Sequence, residues 1–122
     1  MQAQEGIFVG IDVSKKRLDV DAYPVSNAAQ FPNDEAGHIQ LCAALQALQP
    51  QRVIVEATGG LESGMVAHLA AAGLPVVVIN PRQARDFAKA IGILAKTDAV
   101  DARVLARFGQ AIRPEIRPIK SE

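Results

Sequence analysis

Four carboxylates stand where a plain hydrophobic core would not put them. Asp12 and Glu56 each lie at the carboxyl end of a short apolar run, Gly6 to Val13 and Arg52 to Ala57, and strand ends of that kind are where an open α/β sheet places its site. Asp98 and Asp101 are three residues apart at the expected start of the last helix, and continuing their stripe gives Leu105, Phe108 and Ile112. That pair is therefore expected on the face that packs against the sheet. An acid in a first helical turn can simply answer the helix dipole, and one after a strand can cap the next turn. Such explanations serve one residue at a time. Several like charges at one edge repel and raise one another's pKa unless a cation neutralises them. Carboxylate oxygens without clustered His or Cys favour Mg²⁺ or Mn²⁺ over zinc or copper. Two such ions roughly 3.5 to 4 Å apart can stabilise both the attacking and the leaving oxygen at a scissile phosphate. The competing role is architectural, a metal stiffening a scaffold while another domain supplies the nucleophile.

Cations accompany these acids. Arg82, Arg85 and Lys89 fall at helical spacing opposite Ala84, Phe87, Ala88 and Ile91, and Arg103 and Arg107 form an i, i+4 pair beside the acidic stripe. A basic helix face is either solvated or, in a nucleic-acid enzyme, neutralises phosphates. Lys15, Lys16 and Arg17 fall at an expected hairpin turn, where solvent exposure is the simpler meaning. His38 and His68 lie in separate expected helices without partner ligands at metal spacing, which suits surface or boundary positions. Cys42 falls on a core stripe and reads as inert packing. Ser14 and Ser63 have no His nearby in motif terms, and four Phe with one Tyr are too few for a base-stacking platform.

The elements that must position these residues follow from periodicity and punctuation. Gly6 to Val13 reads as a strand buried on both faces, and Arg17 to Ala22 alternates Leu18, Val20 and Ala22 with charged residues as a half-exposed strand should. The two form a hairpin. Tyr23 to Phe31 supplies a weaker third strand, interrupted at Pro24 and stopped at Pro32. Asn33 or Asp34 caps a helix striped by Leu41, Cys42, Leu45 and Leu48 and ending at Pro50. After the strand Arg52 to Ala57, Thr58-Gly59-Gly60 turns into a helix striped by Leu61, Met65, Leu69 and Ala72 and closed by Gly73. Pro75 to Ile79 is another strand, and Asn80-Pro81-Arg82-Gln83 opens a helix running to about Ile91. A last helix is expected from near Thr97 until just before Pro114. Hairpin strands followed by alternating helices and strands indicate an α/β sheet of mixed direction.

With 122 residues, 49% hydrophobic and 21% charged, the chain is long and apolar enough for one domain with a real core. Its longest near-apolar stretch, Leu69 to Ile79, is broken by Gly73 and Pro75 and falls short of the roughly 18 residues a membrane helix needs. The first residues lack a signal peptide's basic start and apolar run, so a cytoplasmic protein without membrane partners is expected. One cysteine rules out an internal disulfide. Thirteen basic and thirteen acidic residues cancel, yet residues 1–60 hold four Lys/Arg against seven Asp/Glu (net −3) and residues 61–122 nine against six (net +3). Such asymmetry suits an acidic site beside a basic surface, although chance unevenness produces it too.

The segments GIDVSK (Gly10 to Lys15), VEATGG (Val55 to Gly60), VINP (Val78 to Pro81) and KTDAVDA (Lys96 to Ala102) resemble, in order, the amino-terminal domain of the DEDD-type insertion-sequence transposases, which are similar to the pilin-gene inversion recombinases. The resemblance implies an RNase H-like α/β fold similar to that of Holliday-junction resolvases. It implies a tetrad of Asp12, Glu56, Asp98 and Asp101 holding Mg²⁺ or Mn²⁺ for DNA strand cleavage and transfer, and it makes Arg82, Arg85, Lys89, Arg103 and Arg107 candidates for nucleic-acid contact. It also implies DNA as partner, a homo-oligomer for the full-length protein and, as in some relatives, a structured guide RNA transcribed from the element itself. Family members continue into a helical segment and a carboxyl-terminal domain with a serine implicated in cleavage. Residues 1–112 are thus expected to form the DEDD domain, with 113–122 a tail or severed connection and autonomous activity in doubt. Two alternatives stand beside this one. An actin-like phosphotransferase half-domain would explain Gly-Ile-Asp-Val-Ser as a phosphate-binding hairpin, though Lys15-Lys16 follow the aspartate and Asp98 and Asp101 go unexplained. A non-catalytic nucleic-acid-binding or assembly module is the other.

Overall fold

The computed structural model describes residues 6–93 and 100–118. Its elements are β1 (Phe8–Val13), β2 (Arg17–Tyr23), β3 (Ala29–Pro32), α1 (Glu35–Leu48), β4 (Arg52–Glu56), α2 (Ser63–Ala71), β5 (Val76–Ile79), α3 (Pro81–Ala90) and α4 (Ala102–Ile112). The five strands form one sheet in the order β3-β2-β1-β4-β5. β1, β2 and β3 pair antiparallel, whereas β4 lies parallel to both β1 and β5. This is the expected mixed sheet, with β1 at its centre.

Side-chain alternation assigns each face. Val9 and Ile11 of β1, Leu18 and Val20 of β2, and Val53 and Val55 of β4 pack with Leu41 and Leu45 of α1 and Met65 and Leu69 of α2. On the other face Ile54 and Ile79 pack with Ala84 and Ala88 of α3 and with Val104, Leu105 and Phe108 of α4. α4 lies directly on β1 because residue 10 has no side chain: a Cβ there would collide with the Ala102 carbonyl oxygen and lie 2.6 Å from the Ala106 nitrogen. Gly109 makes a second close approach, its would-be Cβ 2.9 Å from Ile54 Cγ1.

Helix starts are built as the capping signals require. Asp34 Oδ1 accepts from the Gly37 N–H at 2.8 Å, while Asn80 Oδ1 accepts from the Arg82 N–H at 2.7 Å and the Asn80 N–H donates to Gln83 Oε1 at 3.1 Å. Four expectations are corrected. The third strand is Ala29–Pro32 rather than Tyr23 to Phe31, because Tyr23 still pairs with Phe8 as the end of β2 and Pro32 is paired with Arg17. α4 begins at Ala102 rather than near Thr97, because extended Asp101 is itself the cap and accepts from the Val104 N–H at 3.0 Å. Thr97 and Asp98 lie outside the described residues. α2 begins at Ser63, leaving Leu61 44% exposed before it. Ile112 is 53% exposed, since the last turn of α4 runs past the buried surface that holds Leu105 and Phe108. After α4, residues 113–118 carry no regular structure, but Arg52 Nε donates to the Pro114 carbonyl at 2.9 Å and the Arg113 guanidinium lies 5.2 Å from the Phe8 ring centre. Among the described residues no helix is long and apolar enough to cross a membrane.

Candidate functional site

On β1 the residues Phe8, Gly10 and Asp12 point to the α4 side of the sheet, so Asp12 emerges just beyond the point where α4 begins. Parallel pairing brings Ile11 level with Val55, and one further step sets Asp12 beside Glu56 on the neighbouring strand, about 4.8 Å across the sheet. Asp101 enters from the third direction as the cap of α4, whose first turn rests on Gly10. Three of the four expected acids thus gather at one edge. The fourth, Asp98, lies outside the described residues, and among the described residues no group of three His, Cys, Asp or Glu closes around a single ion site.

These carboxylates feel one another. Burial first, then Asp19 and Asp101, push the Asp12 carboxyl above its usual range, with Arg17 opposing. Burial and then Asp12 push Glu56 upward, with Arg85 opposing. Half-buried oxygen donors with too little positive charge nearby are the donor set a hard divalent cation fits. Asp12, Glu56, Arg82 and Arg85 line a cavity of about 390 Å³, and Asp12, Asp19, Asp101 and Arg103 line an adjoining one of about 460 Å³.

Three further residues shape this edge, and motif spacing did not single them out for it. Asp19 is the direct cross-strand partner of Asp12 and holds Arg17 Nε at 3.3 Å; hairpin register was the signal that could have found it. Glu62 accepts from the Thr58 N–H at 3.0 Å, the Thr58 hydroxyl at 2.8 Å and the Gly60 N–H at 3.2 Å, fixing the turn after Glu56 in which Gly59 and Gly60 adopt φ of 78° and 112°. Burial raises the Glu62 carboxyl, but these hydrogen bonds outweigh it and hold it low. Asn33, weighed above only as a cap, instead donates to the Ser14 carbonyl at 2.9 Å and the Leu61 carbonyl at 3.2 Å, tying together the loops that follow β1 and β4. Its Oδ1 lies 2.8 Å from His38 Nε2. His38 and His68 meet across their helices with ring centres 6.4 Å apart, and burial and then His68 depress the His38 pKa against Asp34 and Glu35.

The basic residues divide between two places. Arg82 and Arg85 face the carboxylates, while Lys89 lies exposed farther along α3. Arg103 donates to the Ala22 carbonyl at 2.7 Å and the Pro24 carbonyl at 3.1 Å, and its guanidinium sits 4.9 Å from the Tyr23 ring centre, with that of Arg107 at 5.6 Å. Tyr23 pairs with Phe8 at the opposite end of the hairpin from Asp12, and while both guanidiniums sit on its ring, Arg103 also lines the cavity of Asp12 and Asp101.

Comparisons with known proteins identify the family and the fold. Residues 9–122 match the family model of the IS110-type DEDD proteins, described as transposase. The pilin gene-inverting protein of Moraxella lacunata is 31% identical over 122 residues, and that of Moraxella bovis 30% over 121. Each alignment covers 94% of this chain and 38% of the relative, so the chain spans well under half the length of the curated relatives it matches. Among solved structures, Thermus thermophilus RuvC aligns with a TM-score of 0.59 at 17% identity over 82% of this chain and 90% of that one. The same protein in complex with a Holliday junction substrate gives 0.55 at 20% identity, with the same coverage. A ROK hexokinase from that organism gives 0.52 at 15% identity over 75% of this chain and 39% of its own. At these identities the likeness is one of fold, the RNase H-like mixed sheet. By the match of the family model to residues 9–122, nearly its whole length, the chain belongs to the IS110-type DEDD transposase family.

Proposed function

We propose that this chain is the acid-bearing domain of a DNA recombinase that cuts and joins strands with divalent metal. The observation that carries the proposal is that Asp12 shares one cavity with Glu56, Arg82 and Arg85 and an adjoining one with Asp101, so that acids from three separate elements open on one edge. Asp12, Glu56, Asp98 and Asp101 would hold Mg²⁺ or Mn²⁺, which when bound polarises a scissile phosphate and activates the attacking oxygen. Arg82 and Arg85 neutralise phosphate oxygens and set the strand against the acids, and Lys89 extends that contact along α3. Glu62 and Asn33 keep the flanking loops in place. Branched or inverted DNA is the substrate that fits, as the junction in the RuvC complex and the gene-inverting relatives suggest. A structured guide RNA and a homo-oligomer of the whole protein belong to the same proposal through the family resemblance. A phosphotransferase hairpin would offer its hydroxyl to phosphate, whereas the Ser14 hydroxyl donates to the Arg17 carbonyl at 2.9 Å.

Strand cleavage of branched DNA by the whole protein with Mg²⁺ is the test. Glu56→Gln should lose at least about 10- to 100-fold in cleavage, the scale on which disturbing even the outer partners of a metal's ligands acts, while still binding DNA. Cleavage retained by Glu56→Gln would overturn the proposal.

A further inference from the structure

We propose that the turn joining β1 to β2 is a second phosphate-binding edge of the site, through Lys15, Lys16 and Arg17. This rests on DNA being the substrate. The turn leaves β1 at the end that carries Asp12, and all three cations are exposed. Arg17 pairs with Asp19, whereas neither lysine has a carboxylate partner among the described residues.

A solvated charge run ordinarily sits on a loose loop, and this one is pinned. The Ser14 N–H and hydroxyl both donate to the Arg17 carbonyl at 2.9 Å. The Asn33 N–H donates to the Lys16 carbonyl at 3.0 Å, and Asn33 Nδ2 reaches the Ser14 carbonyl and, beyond it, that of Leu61. The backbone carrying the lysines is thus fixed to the end of β3 and to the loop that follows Glu56. The backbone from which these side chains extend is held at a set distance from the acids.

The order along the sheet edge gives that charge a use. From β2 to β5 the edge presents the basic turn, Asp12, Glu56 and then the start of α3 with Arg82 and Arg85. Three strand spacings make roughly 14 Å, about four base-pair steps along the axis of a duplex at ~3.4 Å per step. Duplex DNA laid along this edge meets cations on both sides of the carboxylates. The acids fix where it is cut, and the two basic flanks hold the phosphates upstream and downstream of that point.

The experiment is a salt titration of binding to a fluorescent four-way DNA junction, with a structured RNA hairpin as a parallel arm. It compares wild type, Lys15→Ala/Lys16→Ala and Lys15→Arg/Lys16→Arg at constant Mg²⁺. The alanine pair should lower the slope of log affinity against log salt by about two and weaken junction binding about tenfold or more at ~0.1 M salt. The arginine pair should keep both. Wild type that binds the junction alongside an alanine pair that matches it in slope and affinity would overturn this inference and leave the DNA substrate standing. A loss confined to the RNA arm would overturn it as well. Wild type that binds no junction at any salt would remove the DNA reading itself, and this edge with it.

Discussion

Asp101 combines two roles that a substitution can separate. Its side-chain oxygen caps α4 at Val104, and its charge helps to raise the Asp12 carboxyl. Asparagine caps about as well as aspartate, so Asp101→Asn should unfold in urea at nearly the wild-type midpoint yet bind Mn²⁺ far more weakly. Asp101→Ala should also lose about 1 kcal/mol of stability. The raised carboxyls predict a pH dependence of definite sign. Asp12 and Glu56 keep their protons longer in the folded chain than at their ordinary values of 3.8 and 4.5. The metal-free protein should therefore lose stability as pH rises from those values through the higher folded ones. Asp21 acts in the opposite sense. Burial raises its carboxyl, but hydrogen bonds from the Ser26 hydroxyl and the Ala22 and Asn27 N–H groups, together with Arg103, hold it low. It contributes stability above its ordinary value and loses it as pH falls, as does Glu62. Unfolding free energies from pH 3 to 7 in EDTA should show the loss toward neutral pH shrink in Asp12→Asn, whose apo fold should be as stable as wild type or more so. A larger loss in that variant would contradict the assignment of charge repulsion to this edge.

α4 is the element on which the site depends, and Gly10 is what lets it sit where it does. Gly10→Ala places a methyl against the Ala102 carbonyl, so α4 must lift from β1. The overpacking should cost about 1 to 3 kcal/mol, and because Asp101 moves with the helix, Mn²⁺ affinity should fall as well. Stability lost without any change in metal binding would show that Asp101 does not depend on this contact. Asp12 and Glu56 were legible in the sequence because a polar residue closing an apolar strand is a local pattern. The order of elements was legible too, since caps such as Asn80 to Gln83 and breakers such as Pro32 and Pro50 are local. The start of α4 was misplaced because Asp98 and Asp101 share helical spacing, which hid the capping role of Asp101. The roles of Asp19, Glu62 and Asn33 were not legible. They arise from hairpin register, from a turn folding back on its own acid, and from a bond spanning 28 residues between Asn33 and Leu61.

At the level of the whole molecule, neutral net charge conceals an acidic edge between basic flanks. Nucleic-acid affinity should therefore depend on whether the edge holds a cation. This chain covers 38% of the pilin gene-inverting relatives, and the family resemblance implies that cleavage needs a serine of a carboxyl-terminal domain. Positioning of nucleophile and phosphate is worth ~7 to 11 kcal/mol of barrier, so residues 1–122 alone should bind metal but join almost no supercoiled substrate. Efficient, metal-dependent joining by residues 1–122 would place the entire active site here. The most direct measurement is the melting temperature of residues 1–122 against Mn²⁺ or Mg²⁺ concentration, with Asp12→Asn beside it. A cation at 100 times its dissociation constant stabilises by about 2.7 kcal/mol, on the order of 10 °C for a domain of this size. Wild type should rise by that much and Asp12→Asn should stay flat, whereas melting curves that ignore millimolar Mn²⁺ in the wild type would contradict a metal-binding acidic edge.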